Sequence, residues 1–569
     1  MSKSIKGSRE AHGTGLALDA QGYFVRGGAR VVPIGVNYWP ASCGVEMWQA
    51  WPEDEIRHDL DVVRELGLNC VRFFLRWHEF EPEAGGYDAA AFARLERLMG
   101  FFRERDLLAQ PSLFVGFMSG GTFWPPWKGG RNLFADAGMV ARSAAFARRA
   151  AQTLKPFAPW IAGVDYGNEL DCAGESVPAG VLNVRAWCRA VSAAFREIWP
   201  DALLVSGVSN GPLSSDGGWR YGDDLGADFL SVHPYPVPFW QGSRFDGLRD
   251  PFAQAFLPYS VAAVRAFGPV MAQEFGTLIT AGRAPQDAYL RAVLPAAWER
   301  GANGFLWWCL RDIRSRATNY VKNGMEGTLG LVDEADRVKP GLEYYLEFAR
   351  SLPDRPVPAR EAEVALYWPK HYWPTEDPGH TGNDPRTLHN RLLMAYHLLT
   401  INGRNVTVVR GGQPVPEGVR AMVITGAHLD ADEAAALDAW VADGGRLLWH
   451  GPRWTEWGPD MARLLGARPA DFRLQQSAEV DLFGRRWSFD FWMTPENARL
   501  ELAPAGARPL ACDAGGFPLV WRHDRGRGCV VFALPVVEEA ALALLRAPGA
   551  RDAWSGWYYG ALAEVGLLS

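Results

Sequence analysis

Between about residues 30 and 350 the chain alternates short apolar runs with amphipathic stretches, and this repetition narrows the fold more than any other feature. The apolar runs lie at residues 31–38, 69–75, 108–115, 163–169, 203–208, 228–233, 269–274 and 304–310. Each is short and largely apolar, as strands covered on both faces are. Helical patterns fill the gaps at 55–66, 89–105, 140–154, 184–199, 258–267 and 285–300. Strand–helix alternation implies parallel β/α construction, and eight repeats fit a closed (β/α)8 barrel with long βα loops better than an open sheet.

A Pro- and charge-rich segment at 351–361 is predicted as a linker. The pattern then restarts with strands at 363–367, 405–409, 421–425 and 446–450 and helices at 387–399 and 431–441. That order predicts an open, doubly wound, flavodoxin-like α/β domain. Strand-rich stretches at 479–491 and 517–532 and a helix at 552–565 follow. The expected organisation is a barrel at 1–350, a linker at 351–361 and one further domain at 362–569, its C-terminal part rich in strands.

Composition removes several function classes. A net charge of -7 leaves no basic footprint for nucleic acid. The seven cysteines are scattered and never form a CxxC pair, which argues against a disulfide framework or a metal site and for a reducing compartment. The first twenty residues have no apolar core of the secretory-leader kind, and no apolar stretch has the length of a membrane span, so a cytoplasmic protein is expected. No metal and no cofactor is expected. Many of the 25 tryptophans fall in Pro- and Gly-rich stretches, where flat rings suit the apolar faces of sugars as well as ordinary packing.

Active residues of such barrels sit at the C-terminal ends of strands. The fourth run ends Asp165-Tyr166-Gly167-Asn168-Glu169, and the seventh ends Met271-Ala272-Gln273-Glu274-Phe275-Gly276. Each puts a carboxylate where an apolar strand meets its loop, a costly place for a charge without a purpose. A Glu there can also cap a following helix, the rival reading for either residue alone. Two facing carboxylates meet the requirement of glycoside hydrolysis, in which one donates a proton to the leaving oxygen and the other attacks the anomeric carbon or activates water.

These elements resemble clan A of the glycoside hydrolases, and family 5 in particular. Asn168-Glu169 ends strand four and Glu274 ends strand seven, as in that family. Arg72, in Cys70-Val71-Arg72-Phe73-Phe74, resembles the strand-two arginine that binds the nucleophile, and His233-Pro234-Tyr235 resembles its His-x-Tyr element. Trp308 resembles the strand-eight platform under the cleaved sugar, whereas Trp307 is expected to point the other way and pack. The resemblance implies that Glu169 is the general acid/base, that Glu274 is the nucleophile held by Arg72 and Tyr235, and that Asn168 binds the sugar 2-hydroxyl. Asn37, Trp39, Trp77, Trp124 and Trp240 are further candidates for lining sugar subsites, each with packing as its alternative. Glu79, Glu81, Glu175 and Asp312 are read as surface or supporting acids.

The second domain resembles the glutamine-amidotransferase-like domain of family 42 β-galactosidases, where it supports trimer formation. No cysteine lies between Cys309 and Cys512, so amidotransferase chemistry is not expected, and a structural or oligomer-forming role (dimer or trimer) is. Taken together, the resemblances imply a retaining, exo-acting β-glycosidase for short oligosaccharides. The Gly35-Val36-Asn37-Tyr38-Trp39-Pro40 and Glu274-Phe275-Gly276 contexts point first to β-mannosides. A β-galactosidase, an endo-β-1,4-mannanase or glucanase, a transglycosylase using the same carboxylates, and a catalytically silent carbohydrate-binding protein stay open as alternatives.

Overall fold

The computed structural model describes residues 15–568, apart from 120, 216, 223–224, 238–243, 278–281, 359–361, 371–383, 454–456, 475–476 and 491–497. By its contacts the chain divides into two compact units. The first comprises Met1–Trp240, Gly247–Arg249 and Phe256–Pro358, and the second Gln241–Asp246, Asp250–Ala255 and Ala359–Ser569.

Eight parallel strands form the first unit: β1 (Ile34–Asn37), β2 (Cys70–Phe74), β3 (Leu108–Val115), β4 (Val164–Asn168), β5 (Leu204–Val205), β6 (Leu230–Val232), β7 (Val270–Phe275) and β8 (Ala302–Trp307). Their hydrogen-bonded order is β5-β4-β3-β2-β1-β8-β7-β6, and a single parallel bridge from Val205 to Phe229 joins the two ends. The result is the (β/α)8 barrel expected from the eightfold pattern. The helix Ala89–Arg105 shows why the periodicity was readable. Asp88 caps it by accepting from the Ala91 amide, its buried residues Phe92, Leu95, Leu98, Met99 and Phe102 recur at helical spacing, and Asp106 ends it at φ 49°.

A small antiparallel sheet (Ala17–Leu18, Phe24–Arg26, Ala29–Arg30) closes the N-terminal end of the barrel. Phe24 is fully buried against Phe229, ring centroids 5.2 Å apart, in a cluster with Cys70, Leu108, Met271 and Leu306. The Asn303 side-chain amide ties this sheet down by donating to the Gly22 carbonyl at 2.9 Å. The bottom of the barrel is apolar and sealed, so the polar side chains of its interior lie toward the other end, where the βα loops are.

In the second unit a seven-stranded sheet has the order β10-β9-β11-β12-β15-β14-β13. These strands are β9 (Val364–Trp368), β10 (Val406–Arg410), β11 (Ala421–Thr425), β12 (Arg446–His450), β13 (Arg508–Cys512), β14 (Pro518–Arg525) and β15 (Gly528–Ala533). The first five in that order are parallel, as in a flavodoxin-like sheet, and β14 and β13 add an antiparallel edge. At the C-terminal ends of β11 and β12 lies a fully buried polar cluster. Glu538 accepts from the Thr425 hydroxyl at 2.7 Å, from His450 Nδ1 at 2.8 Å and from the Tyr558 hydroxyl, while Trp557 Nε1 donates to His450 Nε2 at 3.2 Å. Against the opposing effect of burial, His450, Thr425 and Tyr558 hold Glu538 below the ordinary carboxylate range.

Barrel closure leaves no room for a side chain at Gly35, where a Cβ would stand 1.6 Å from the Cys70 carbonyl oxygen. Gly35→Ala should therefore destabilise the protein by more than about 3 kcal/mol in chemical denaturation. Gly100→Ala, on a helix face with nothing within 4 Å of the new Cβ, should be neutral or stabilising by up to about 1 kcal/mol.

Candidate active site

The centre of the barrel is polar, and Arg72 organises it. With no exposed surface, it donates to Asp165 Oδ2 from Nε at 3.0 Å and from Nη2 at 2.6 Å, to Asn168 Oδ1 at 2.8 Å, to Asn37 Oδ1 at 3.1 Å and to Glu274 Oε2 at 3.2 Å. Strand register makes this possible, since Asn37 is paired with Arg72 across β1 and β2. Asp165 fits because β5 is followed by a glycine. A Cβ at Gly207 (φ +64°) would meet Asp165 Oδ1 at 1.7 Å. Asn37 also donates to the Gln273 carbonyl at 3.1 Å, and Asn168 to the Phe117 carbonyl at 2.7 Å.

Glu274, at the end of β7, uses both carboxylate oxygens. Tyr235 donates its hydroxyl to Oε1 at 2.5 Å, and Arg72 donates to Oε2. Burial pushes Glu274 above the ordinary carboxylate range, and Glu169 adds to the push, while His233, Arg72 and Tyr235 act against it. Glu169 follows β4 in the left-handed region, φ 47°, held by its amide N–H donating to the Gly207 carbonyl at 2.9 Å. A non-glycine residue in that region stores backbone strain, which aims this side chain away from the continuing strand direction. Burial, and next the charge of Asp171, push Glu169 up to about 8.

The proton on Glu169 has an identifiable seat. Paired with Arg72, Asp165 offers only lone pairs, so Gln273 must turn its amide Nε2 toward Asp165 Oδ2 at 3.3 Å and toward Gln110 Oε1 at 2.8 Å. Gln273 Oε1 then faces His233 Nε2 at 3.2 Å, which makes that nitrogen the N–H donor. Burial holds His233 below the ordinary imidazole range. The neutral ring therefore leaves Nδ1 as an acceptor, 2.9 Å from Glu169 Oε1, and a protonated Glu169 donates to it. One ligand atom each from Glu169, His233 and Glu274 lies within 4.8 Å of the others. Both nitrogens of His233 and both oxygens of Glu274 already have protein partners, so this trio is a hydrogen-bonded cluster.

The predicted residues fall into three groups. Glu169, Glu274, Arg72, Asn168, Asn37, His233 and Tyr235 are drawn into one network. Trp308 flanks it, edge-to-face with Phe74 at 6.2 Å, and Trp39 stacks on Phe74 at 5.2 Å. The Trp308–Cys309 peptide is cis. Trp307 packs outward on Phe275 and Tyr345, as strand alternation predicts. Trp124 remains half-exposed in the loop after β3 with Lys128 over its ring. Trp77 is a correction. It is 1 % exposed, wedged between Phe114, Trp127 and Phe146, and spends its indole N–H on Glu81, so it has no face for a sugar. Trp240 lies outside the described residues. Glu79 and Glu81 are buried, Glu81 in an ion pair with Arg142. Asp165, Gln273, Gln110, Asp171 and Glu326 are parts of the site to which the sequence alone assigns no role.

A carboxyl pair at the ends of β4 and β7 of a (β/α)8 barrel, one arm held by Arg and Tyr and the other sharing a hydrogen bond with a neutral His, defines a glycoside hydrolase. The chain is 46% identical to an exo-β-1,4-mannosidase from Opitutaceae bacterium strain TAV5, over 96% of this chain and 99% of that one, with a TM-score of 0.92. It belongs to glycoside hydrolase family 5. A family 5, subfamily 18 structure from Streptomyces cattleya in complex with GlcNAc shares its fold (24% identity, TM-score 0.60, 70% of this chain and 99% of that one). So does a β-galactosidase from Rahnella sp. R3 (14% identity, TM-score 0.69, 94% of this chain and 89% of that one). No protein-family profile and no curated protein matches the chain.

Because the folded-state value of Glu169 lies above its unfolded one, the stability it contributes is full below about 4.5 and is lost as pH rises through about 8. Glu169→Gln keeps a donor to His233 Nδ1 and cannot ionise. It should unfold about 2–4 kcal/mol later than the native chain in denaturant titrations at pH 8–9, with the gap closing by pH 4.

Proposed function

We propose that this family 5 enzyme is a retaining exo-β-mannosidase that removes terminal β-mannosyl units from short oligosaccharides by double displacement, with Glu274 as nucleophile and Glu169 as acid/base. The observation that carries the roles is the unequal setting of the two carboxyls. Glu274 accepts from a cation and a phenol, which favour the anion. Among the described residues no Lys or Arg hydrogen-bonds Glu169, which faces a neutral imidazole nitrogen that favours its protonated form. Their oxygens approach closely enough for attack by one and protonation by the other on the same glycosidic bond. After the glycosyl–enzyme bond to Glu274 forms, Glu169, now ionised, takes the proton of the incoming water.

Support for mannose and for exo action comes from the Opitutaceae enzyme, whose likeness runs through nearly the full length of both chains. Asn168, fixed by Arg72 and the Phe117 carbonyl, is the residue proposed to bind the 2-hydroxyl, the group whose axial placement distinguishes mannose. No helix of the described residues is long and apolar enough to cross a membrane. A cytoplasmic location and an oligomer built through the second unit are part of this proposal.

Glu274→Ala should lower turnover of an aryl β-mannoside by about 10⁴-fold or more. Azide should restore turnover, yielding a glycosyl azide of inverted configuration, and an unchanged rate in the variant would remove Glu274 from the mechanism. The pH profile of kcat/KM should be bell-shaped. Its alkaline limb should lie near 8, where Glu169 loses the proton it donates, and its acid limb above the ordinary carboxylate range, because burial lifts Glu274 too. In Glu169→Ala, assayed with a dinitrophenyl leaving group that needs no proton, the alkaline limb should disappear.

A further inference from the structure

A further carboxyl stands at this site without a role in the double displacement. Glu326 lies in the 3-10 turn Gly324–Gly327, in the loop after β8, and is 3 % exposed. The turn is pinned from three directions. Ile313 donates its amide to the Glu326 carbonyl at 2.9 Å, Glu326 donates its own to Asn323 at 3.0 Å, and the Asn323 side chain donates to the Ser119 carbonyl in the loop after β3. The carboxylate accepts the indole N–H of Trp308 at Oε2, 3.2 Å. Among the described residues no Lys or Arg forms an ion pair with it.

A buried acid without a counter-ion is expensive, and neutral donors such as an indole N–H offset that cost only in part. Burial pushes Glu326 up to about 7, the Trp308 indole and the Ser119 side chain pull the other way, and among charged neighbours it is Glu274 that raises it. Glu326 also acts on Tyr235, the phenol that holds Glu274. These relations put Glu326 beside the Trp308 platform and within electrostatic reach of Glu274 and Tyr235. A carboxylate has about four acceptor positions, so the Trp308 N–H and the Ser119 side chain leave room for another donor.

We propose that Glu326 is a specificity-determining residue, which accepts a hydrogen bond from a ring hydroxyl of the terminal sugar lying on Trp308, on the side remote from the scissile bond. The hydroxyl supplies a further donor to a buried carboxylate that has only neutral partners. A sugar extended through that hydroxyl would meet the carboxylate instead of open space, so the same residue favours action at a chain end. This rests on the glycosidase reading above and names the side chain that reads the sugar.

The test is a double comparison. The 3-, 4- and 6-monodeoxy forms of whichever aryl β-glycoside the native enzyme hydrolyses are assayed with the native enzyme and with Glu326→Gln. The native enzyme should lose about 10–100-fold in kcat/KM at one position, the usual scale for a hydrogen bond to a charged group. In Glu326→Gln the parent substrate should fall by a similar factor and the loss at that position should shrink to about threefold or less, with the losses at the other positions unchanged. Intrinsic reactivity cancels in this ratio. Identical position-by-position losses in both proteins would overturn the proposal. Trp308→Phe serves as the second variant, removing the same hydrogen bond from the other partner. It should lower the rate yet keep the discrimination; if the discrimination vanishes there too, Glu326 acts only by holding Trp308 and the proposal fails. Because the series is built on the sugar actually cleaved, inactivity toward mannosides would strike the proposed sugar and leave this test intact.

Discussion

A guanidinium with no exposed surface sits in the middle of the barrel and has to be satisfied from several strands at once. Arg72 on β2 meets Asn37 from β1, Asp165 and Asn168 from β4 and Glu274 from β7. Losing one partner of such a buried pair typically costs about 3–5 kcal/mol, so register, strand ends and the glycine at position 207 are all held to the geometry that neutralises it. The same charge stabilises Glu274 as an anion and reaches Glu169 more weakly, as one of the minor influences on it.

Two glutamates only a few ångströms apart are thereby made unequal without either having an unusual partner of its own. The asymmetry comes from direction. Asp165 accepts and cannot donate, Gln273 must answer with its N–H groups, His233 must then carry its proton on Nε2, and the bare Nδ1 is presented to Glu169. Every link is a neutral or balanced hydrogen bond in the interior, where an unpaired polar atom is costly, so the orientation set at Asp165 persists to the far end. Glu169 adds a strained backbone at φ 47°, a departure from relaxed geometry that the rest of the network is rigid enough to hold.

Much of this was legible in the sequence. Eight strands could be placed because each is buried on both faces and therefore apolar, and the two glutamates stood out because a charge ends each of two such runs. Arg72 was legible for the same reason, as a charge inside Cys70–Phe74. Asp165 carries that signal as well, in Val164–Asn168, but its neighbour Glu169 drew the attention; Gln110 and Gln273 are uncharged and blend into their strands. Trp77 misled because a tryptophan after a strand end reads the same whether its ring turns out to a cleft or in to a helix, and only the short Trp77–Phe80 turn decides. Glu326 had no periodicity to mark it, since it sits in an irregular loop whose turn is tied through Asn323 to Ser119, far away in the chain.

The buried cluster of the second unit has a consequence of its own. Doubly wound sheets hold their ligands outside the carboxyl ends of the strands, where the strand order reverses. Here the order reverses between β9 and β11, and beside that point the ends of β11 and β12 are covered by the protein's own Tyr558 and Trp557, from the helix Ser555–Glu564, closing over Thr425, His450 and Glu538. The tail of the chain thus covers strand ends next to the position where sheets of this order receive a ligand. It does so with matched hydrogen bonds, so the polar groups at this part of the sheet's carboxyl edge are spent on one another and work as a keystone.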